Sequence, residues 1–115
     1  MWQVAHGETP DAVRNSPALK GLTIPRTGLA GAVGALVTKT LVIAGDPLAT
    51  VTAAHPRGAM LRAYDKTTGN EVGAVFIAAP QSGTPMTYLQ NGKQYIVVAI
   101  SGGVYSGEYV ALKLP

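Results

Sequence analysis

Short apolar, β-branched segments recur along this chain, and turn-forming residues separate them. Four such segments fall within residues 35–79, and three more fall within residues 84–114. Segments of this length and composition are typical of β-strands, and the Asn91-Gly92 pair is typical of an antiparallel hairpin turn. A four-stranded unit with a period of about 40–50 residues is typical of a β-propeller blade. The pattern therefore predicts stacked antiparallel sheets.

The length of the chain limits how much of a propeller it can form. At this period, 115 residues make roughly two and a half blades, whereas propellers close with about 4–8 blades. We therefore predict an all-β fold, a partial β-propeller of four-stranded antiparallel blades with a loop-rich N-terminal third. Residues 1–33 would hold the end of an upstream blade and connecting loops, residues 34–80 one blade with a loop insertion at residues 47–58, and residues 81–115 a final incomplete blade. An independent small β domain is the alternative.

Local signals add four structural predictions. Thr9 as the N-cap and Pro10 as the first helical residue predict a short helix over Asp11–Leu19. The Asp65–Asn70 segment predicts a turn in which the aspartate accepts backbone N–H groups. Tyr95–Ile100 is apolar at every position, which predicts a strand buried on both faces. The segment around His55 is predicted to be a solvated loop tip.

Composition excludes several functional classes. The nine basic residues give a net charge of +3 and are never adjacent, so no basic stripe for nucleic acid is predicted. The absence of cysteine excludes a disulfide framework, a thiolate metal site and cysteine catalysis. No apolar run is long enough to cross a bilayer, and Met1–Glu8 has no signal-peptide pattern.

Several motifs together carry a resemblance to a known family. The segment Ala63–Glu71 resembles the tryptophan-docking repeat of quinoprotein dehydrogenases, which use pyrroloquinoline quinone (PQQ). Downstream, the chain is similar to the closing blade of that family at Gly83–Tyr88, Asn91–Tyr95, the Gly102-Gly103 pair and Leu114-Pro115. The branch that it resembles most is the eight-bladed, membrane-associated glucose dehydrogenase type. The resemblance is firmest from residue 41 to residue 115.

The resemblance implies a function for a longer parent protein. This chain would be the C-terminal portion of a periplasmic dehydrogenase that oxidises a sugar or alcohol hydroxyl and passes electrons to ubiquinone. The parent would bind PQQ and calcium, and the remaining blades would be the partners of this chain. The calcium ligands and the catalytic base would lie in earlier blades, so no catalytic or metal-ligating residue is assigned here, and the isolated chain is expected to be inactive and to bind no cofactor. The alternative is a non-catalytic propeller scaffold that binds proteins.

The resemblance also suggests which residues of this chain lie near the cofactor and substrate. Asp46 falls close to where relatives carry a carboxylate near the quinone, and Arg57 would pair with a quinone carboxylate. The plainer interpretation of Asp46 is a turn former before a proline. Gly102, Gly103 and Val104 would line the loop through which substrate enters. Glucose-type relatives have a histidine at the Val104 position, which argues against glucose as the substrate.

Two tryptophan positions bear on how the blades join. The docking tryptophan of the family repeat is expected at position 73, where this chain has Gly73, so one clamp between neighbouring blades is predicted to be missing. Trp2 would be the last residue of the repeat in the upstream blade. We expect Trp2 and the tyrosines to pack between blades.

Overall fold

The computed structural model describes all residues, 1–115, and consists mainly of antiparallel strands. The strands are β1 (Leu36–Val37), β2 (Leu41–Gly45), β3 (Thr50–Thr52), β4 (His55–Asp65), β5 (Glu71–Ile77), β6 (Met86–Gln90), β7 (Lys93–Gly102) and β8 (Tyr105–Lys113). Before residue 36 there are only helix α1 (Asp11–Arg14) and a 3-10 turn (Pro17–Leu19). The predicted all-β fold with a loop-rich N-terminal third is confirmed. No helix has the length and apolar character needed to cross a bilayer.

The first sheet is built around the long strand β4. β2 and β5 pair with β4 antiparallel, and β1 extends the sheet beyond β2. Residues 47–58, predicted to be a loop insertion, instead contain a hairpin in which β3 pairs with the start of β4, with Thr50 opposite Gly58. Backbone pairing explains the difference, because a hairpin satisfies N–H and C=O groups that an irregular loop would leave exposed. The domain limits themselves remain a prediction.

The second sheet contains β6, β7 and β8 in that order, all antiparallel. The predicted turn between β6 and β7 is present, with φ values of 50° at Asn91 and 73° at Gly92. Positive φ at both central residues is the geometry that an Asn-Gly pair favours in a two-residue hairpin. Gln90 and Lys93 face each other across this turn, which fixes the register of the sheet.

The hydrophobic core lies between the two sheets. Eight buried residues from both sheets and the segment between them form it: Ile43, Ala59, Leu61, Ile77, Ala79, Ile96, Val98 and Ile100. In β7 only alternate residues are buried, and the residues between them are half-buried. The prediction that Tyr95–Ile100 is buried on both faces is therefore wrong for this chain, because its sheet has a packing neighbour on one side only.

The N-terminal third packs against the first sheet. Helix α1 is shorter than predicted, and Pro10 rather than Thr9 is its N-cap, without a side-chain cap. Thr9 is buried instead, and its hydroxyl accepts the N–H of Thr27 at 3.2 Å. The helix stops early because Pro17 lacks the N–H that a continuing helix requires. Asp11 and Arg14 also hydrogen-bond to the backbone of Val51, which joins α1 to β3.

Candidate functional site

Asp46 lies directly after β2 and has no exposed surface. Its two carboxylate oxygens accept hydrogen bonds from the guanidinium of Arg62, at 2.7 Å from Nε and 3.1 Å from Nη2. The Met60 N–H donates to Oδ2 at 3.2 Å. A carboxylate buried this deeply requires such a bidentate partner, because an isolated buried charge is strongly unfavourable. Asp46 is thus more than a turn former, since its side chain is the partner of a buried cation.

Arg62 lies in the middle of β4 and connects three carboxylates. Besides Asp46, it donates from Nη2 to Glu8 at 2.9 Å and from Nη1 to both oxygens of Glu71 at 3.2 Å. Arg26 pairs with Glu71 from the solvent side at 2.7 Å. Three of the six acidic residues of the chain therefore surround one buried arginine. We call these five residues the Arg62 network.

The Arg62 network shifts the proton affinity of its members. Burial alone would lower the pKa of Arg62, but the hydrogen bonds to Asp46 and Glu8 outweigh it, and the pKa is raised above its ordinary value. Burial alone would likewise raise the pKa of Glu71, but the hydrogen bond from Arg26 and the charge of Arg62 lower it overall. Tyr64 is not a member of the network, but burial, reinforced by the charge of Glu71, raises its pKa as well. The shifts of Arg62 and Glu71 both favour the charged form, so these two residues carry opposite charges at neutral pH.

His6 and Trp2 attach the first residues of the chain to the same sheet. Nε2 of His6 lies 3.0 Å from the carbonyl oxygen of Gly45, and Nδ1 lies 2.8 Å from the Tyr64 hydroxyl. Because a carbonyl only accepts, Nε2 is the donor. Trp2 Nε1 donates to the Lys66 carbonyl at 2.9 Å, and its ring lies against Gly69. Trp2 thus docks on the Asp65–Asn70 turn, and its role in packing between blades remains a prediction.

A short segment between the two sheets links Asp46 to the loop that was predicted to admit substrate. The Gln81 N–H donates to the Asp46 carbonyl at 3.2 Å, and the Ser101 N–H donates to the Pro80 carbonyl at 3.0 Å. The side chain of Gln81 accepts the Gly45 N–H at 2.5 Å. Gly102 and Gly103 have φ values of 140° and 59°, and Val104 is fully exposed at the tip of the β7–β8 hairpin. The structure therefore brings the Asp46 backbone and this hairpin to one end of the two sheets.

Arg57 lies apart from these contacts. It is exposed on β4 and makes no side-chain hydrogen bond or ion pair. The preceding His55 is buried against Phe76, with ring centroids 5.6 Å apart. The predicted loop tip is therefore wrong for both residues, because both belong to strand β4. Of the two, only Arg57 is exposed to solvent.

No group of three or more His, Asp or Glu side chains converges as a metal site would require. The oxygens of Asp46 are already occupied by Arg62 and Met60. Of the residues predicted to contact the quinone, Arg57 alone has free donors.

Sequence reasoning missed four residues of this region, namely Glu8, Arg62, Glu71 and Gln81. One signal was present for Arg62, because an arginine within the apolar strand segment Met60–Tyr64 must either face solvent or meet buried acids. The neighbouring strand β2 is followed directly by Asp46, which is a suitable partner. Nothing in the sequence pattern indicates the long-range contact with Glu8, because loops such as residues 1–33 have no periodicity that fixes their path.

The stacked antiparallel sheets and the tryptophan docked on the turn define the chain as a piece of a β-propeller. A sequence model described as the PQQ "Glucose/ethanol/alcohol dehydrogenase, beta-propeller domain" matches residues 1–96. The chain therefore belongs to the PQQ β-propeller family.

Two curated relatives fit this assignment. The chain is 30% identical over 120 aligned residues to quinoprotein glucose dehydrogenase A of Acinetobacter calcoaceticus, covering 100% of this chain and 14% of that protein. It is 42% identical over 60 residues to quinoprotein glucose dehydrogenase of Escherichia coli K12, covering 48% of this chain and 8% of that protein. The chain thus spans a small part of the length of either relative. No solved structure matches it significantly.

Proposed function

We propose that this chain is the C-terminal portion of a periplasmic, PQQ-dependent dehydrogenase. The whole protein would oxidise a sugar or alcohol hydroxyl and pass the electrons to a quinone acceptor such as ubiquinone. The observation that carries the proposal is the alignment of the entire chain with quinoprotein glucose dehydrogenase A, supported by the family match over residues 1–96. PQQ, when bound, supplies the two-electron redox chemistry, with calcium polarising its carbonyl.

Within that protein, this chain would contribute to the rim of the cofactor site. The exposed guanidinium of Arg57 is available to pair with a carboxylate of PQQ. Asp46 would act as a positioning residue, because its contacts with Arg62 and Met60 hold the end of β2 in place. The Gly102–Val104 hairpin tip would line the opening for substrate, since Val104 extends fully into solvent. The missing blades would supply the metal ligands and the catalytic base.

The decisive experiment measures PQQ and substrate turnover in the full-length protein. We expect the apoprotein to bind PQQ in the presence of Ca²⁺ and to reduce an artificial electron acceptor when given sugars or primary alcohols. The 115-residue chain, assayed in parallel, should show neither activity. A full-length protein that binds no PQQ at millimolar Ca²⁺ would exclude the enzyme and favour the protein-binding scaffold.

Two variants test the residues assigned to the rim. Arg57→Ala should weaken PQQ binding by roughly tenfold, the equivalent of about 1.4 kcal/mol, whereas Lys20→Ala, an equally exposed cation elsewhere, should not. Val104→His should change KM more than kcat across a panel of substrates, and Val104→Ala is its control. Unchanged PQQ affinity in Arg57→Ala would remove this residue from the site.

A further inference from the structure

Gln81 lies between β5 and β6, at the junction of the two sheets, and it is buried there. Its Oε1 accepts the Gly45 N–H at 2.5 Å, and its Nε2 donates to the Gly34 carbonyl at 2.8 Å. An N–H group only donates and a carbonyl only accepts, so these two partners fix which way the amide of Gln81 points. The side chain therefore joins two separate backbone segments, the end of β2 and the residues before β1.

The Gln81 amide takes the place of a direct contact between these segments. β1 and β2 pair with Leu36 opposite Ile43, and the same register continued beyond β1 would place Gly34 opposite Gly45. In that arrangement the Gly45 N–H would donate directly to the Gly34 carbonyl, as alternate pairs of an antiparallel ladder do. A Cβ atom at position 45 would lie 2.7 Å from the Cβ of Gln81, so glycine leaves the room for this approach. The side chain therefore holds the two segments apart at the end of β2.

The backbone of Gln81 reaches both sheets as well. Its N–H donates to the Asp46 carbonyl at 3.2 Å, and the residue pairs with Ile100 of β7 as an antiparallel bridge. On either side of this bridge the N–H groups of Ser82 and Ser101 donate hydrogen bonds of 2.9 and 3.0 Å between the two segments. The hairpin tip that was predicted to admit substrate begins at the next residue of β7. Gln81 thus contacts the end of β2 and the start of this tip.

We propose that Gln81 is a positioning residue that sets how far the Gly102–Val104 hairpin tip lies from Asp46. This inference rests on the proposed function, which assigns both features to the rim of a dehydrogenase site. Without the side-chain amide, the buried Gly45 N–H would lose its acceptor. An unpaired buried N–H is unfavourable, so we expect Gly45 to move toward the Gly34 carbonyl. Asp46, the next residue, would move with it, and the opening for substrate would change shape.

The first test is steady-state kinetics of the full-length protein loaded with PQQ and Ca²⁺, using a panel of glucose, xylose, ethanol and 1-butanol. We expect Gln81→Met, which keeps the side-chain length and loses both hydrogen bonds, to raise KM about fivefold with little change in kcat. Gln94→Met is the matched control, because Gln94 is half-buried in β7 and donates only to the Thr87 hydroxyl, at 3.0 Å. It should leave KM unchanged. If Gln81→Met fails to fold, Gln81→Asn gives the same comparison, since its amide is too short to reach both glycines.

Amide hydrogen exchange provides a second readout that a general loss of stability would not reproduce. In the full-length protein without PQQ, Gln81→Met should accelerate exchange at Ser82 and Ser101, whose N–H groups donate across the junction. The Leu114 N–H, which donates to Gln94 at the opposite end of β7, should be unaffected. A merely structural role would accelerate exchange at both ends of the strand.

The outcomes separate this inference from the proposed function. An active full-length protein whose KM is unchanged in Gln81→Met would overturn the positioning role and leave the dehydrogenase proposal intact. Equal acceleration of exchange at both ends of β7 would also overturn it, because Gln81 would then only stabilise the fold. A full-length protein that binds no PQQ and oxidises no member of the panel would remove the proposed function, and the positioning role with it.

Discussion

Arg62 contacts three carboxylates that come from three separate parts of the chain: the N-terminal loops, the end of β2 and the start of β5. The side chains of Arg62 and Asp46 are 2% and 0% exposed, so water cannot replace either partner. A buried pair of this kind is not necessarily a net source of stability, but the removal of one partner leaves the other charge uncompensated.

Substitution of Arg62 by methionine should therefore be strongly destabilising. We expect Arg62→Met to lower the free energy of unfolding by about 3–5 kcal/mol, because Asp46 would remain buried without a counter-charge. Arg57→Met, on the same strand but exposed, should change it by less than about 0.5 kcal/mol. Urea titration of the full-length protein measures both. If Arg62→Met lowers the free energy of unfolding as little as Arg57→Met does, Asp46 does not remain buried as an unpaired charge.

A second test at the residue scale concerns the glycine beneath Trp2. Gly69 and Gly92 have nearly the same positive φ, 78° and 73°, but only at Gly69 would a Cβ lie 2.6 Å from the tryptophan ring. Alanine at either position should lower the free energy of unfolding by about 1 kcal/mol, because a residue with a Cβ atom is strained at positive φ. Gly69→Ala should cost more because Trp2 must also move. The decrease in the midpoint of thermal unfolding, measured for both variants, gives the difference. Equal decreases would mean that the contact between Gly69 and Trp2 does not affect the stability of the variant.

Among the elements, strands and turns were the most predictable from sequence. The Asn91-Gly92 turn and the Asp65–Asn70 turn were located correctly because local backbone chemistry determines them: Asp65 accepts the N–H groups of Thr67 and Thr68 at 2.9 and 2.8 Å. Hydrogen bonds from Thr68 lower the pKa of Asp65. The β3–β4 hairpin was missed because Pro56 suggests a break, although proline is tolerated near the first residues of a strand.

The attachment of the N-terminal loops to the first sheet should weaken in acid. Glu71 faces Arg62 and Arg26, and its pKa is lowered from 4.5, so the unfolded chain binds this proton at a higher pH than the folded chain does. The stability that Glu71 contributes is therefore present above pH 4.5 and is lost as the pH falls through its folded pKa. Amide hydrogen exchange of residues 1–33, compared at pH 6 and pH 4 after correction for intrinsic rates, should show this loss. Glu71→Gln should remove most of the difference, and an unchanged difference would assign the acid effect to other groups.

The whole molecule leaves one face of its second sheet without a neighbour. Paired residues on that face include Met86 opposite Val97, Tyr88 opposite Tyr95, and Tyr109 opposite Ala99. Met86 is 51% exposed and Tyr109 is 84% exposed. An apolar sheet face of this kind is typical of an interaction surface.

At this scale we predict that the isolated chain does not remain a well-ordered monomer. Light scattering of the 115-residue chain should detect self-association, and amide hydrogen exchange should show weaker protection in β6 and β8 than in the full-length protein. Association through open sheet edges and apolar faces is the physical reason. A protected monomer would contradict this prediction and would favour the independent small β domain.

The fold was thus more predictable than the site. Apolar periodicity and turn chemistry are local, so they indicated the strands, and the repeat indicated the architecture. The Arg62 network depends on where a loop of irregular sequence passes, as in the contact of Glu8 with a residue 54 positions later. Such contacts leave no periodic signal in a single sequence. The assignments of Asp46, Arg57 and Gly102–Val104 came from family resemblance and await the experiments above.

The way in which the N-terminal third is attached has a mechanical consequence. Residues 1–33 contain no strand, and their described contacts with the first sheet are mainly side-chain contacts spaced along the segment, such as those of Trp2, His6, Glu8 and Arg26. Under a pulling force on Met1, these contacts would break one after another at low force. The ladder between β4 and β5, pulled along its strands, would load many hydrogen bonds at once and resist until they fail together.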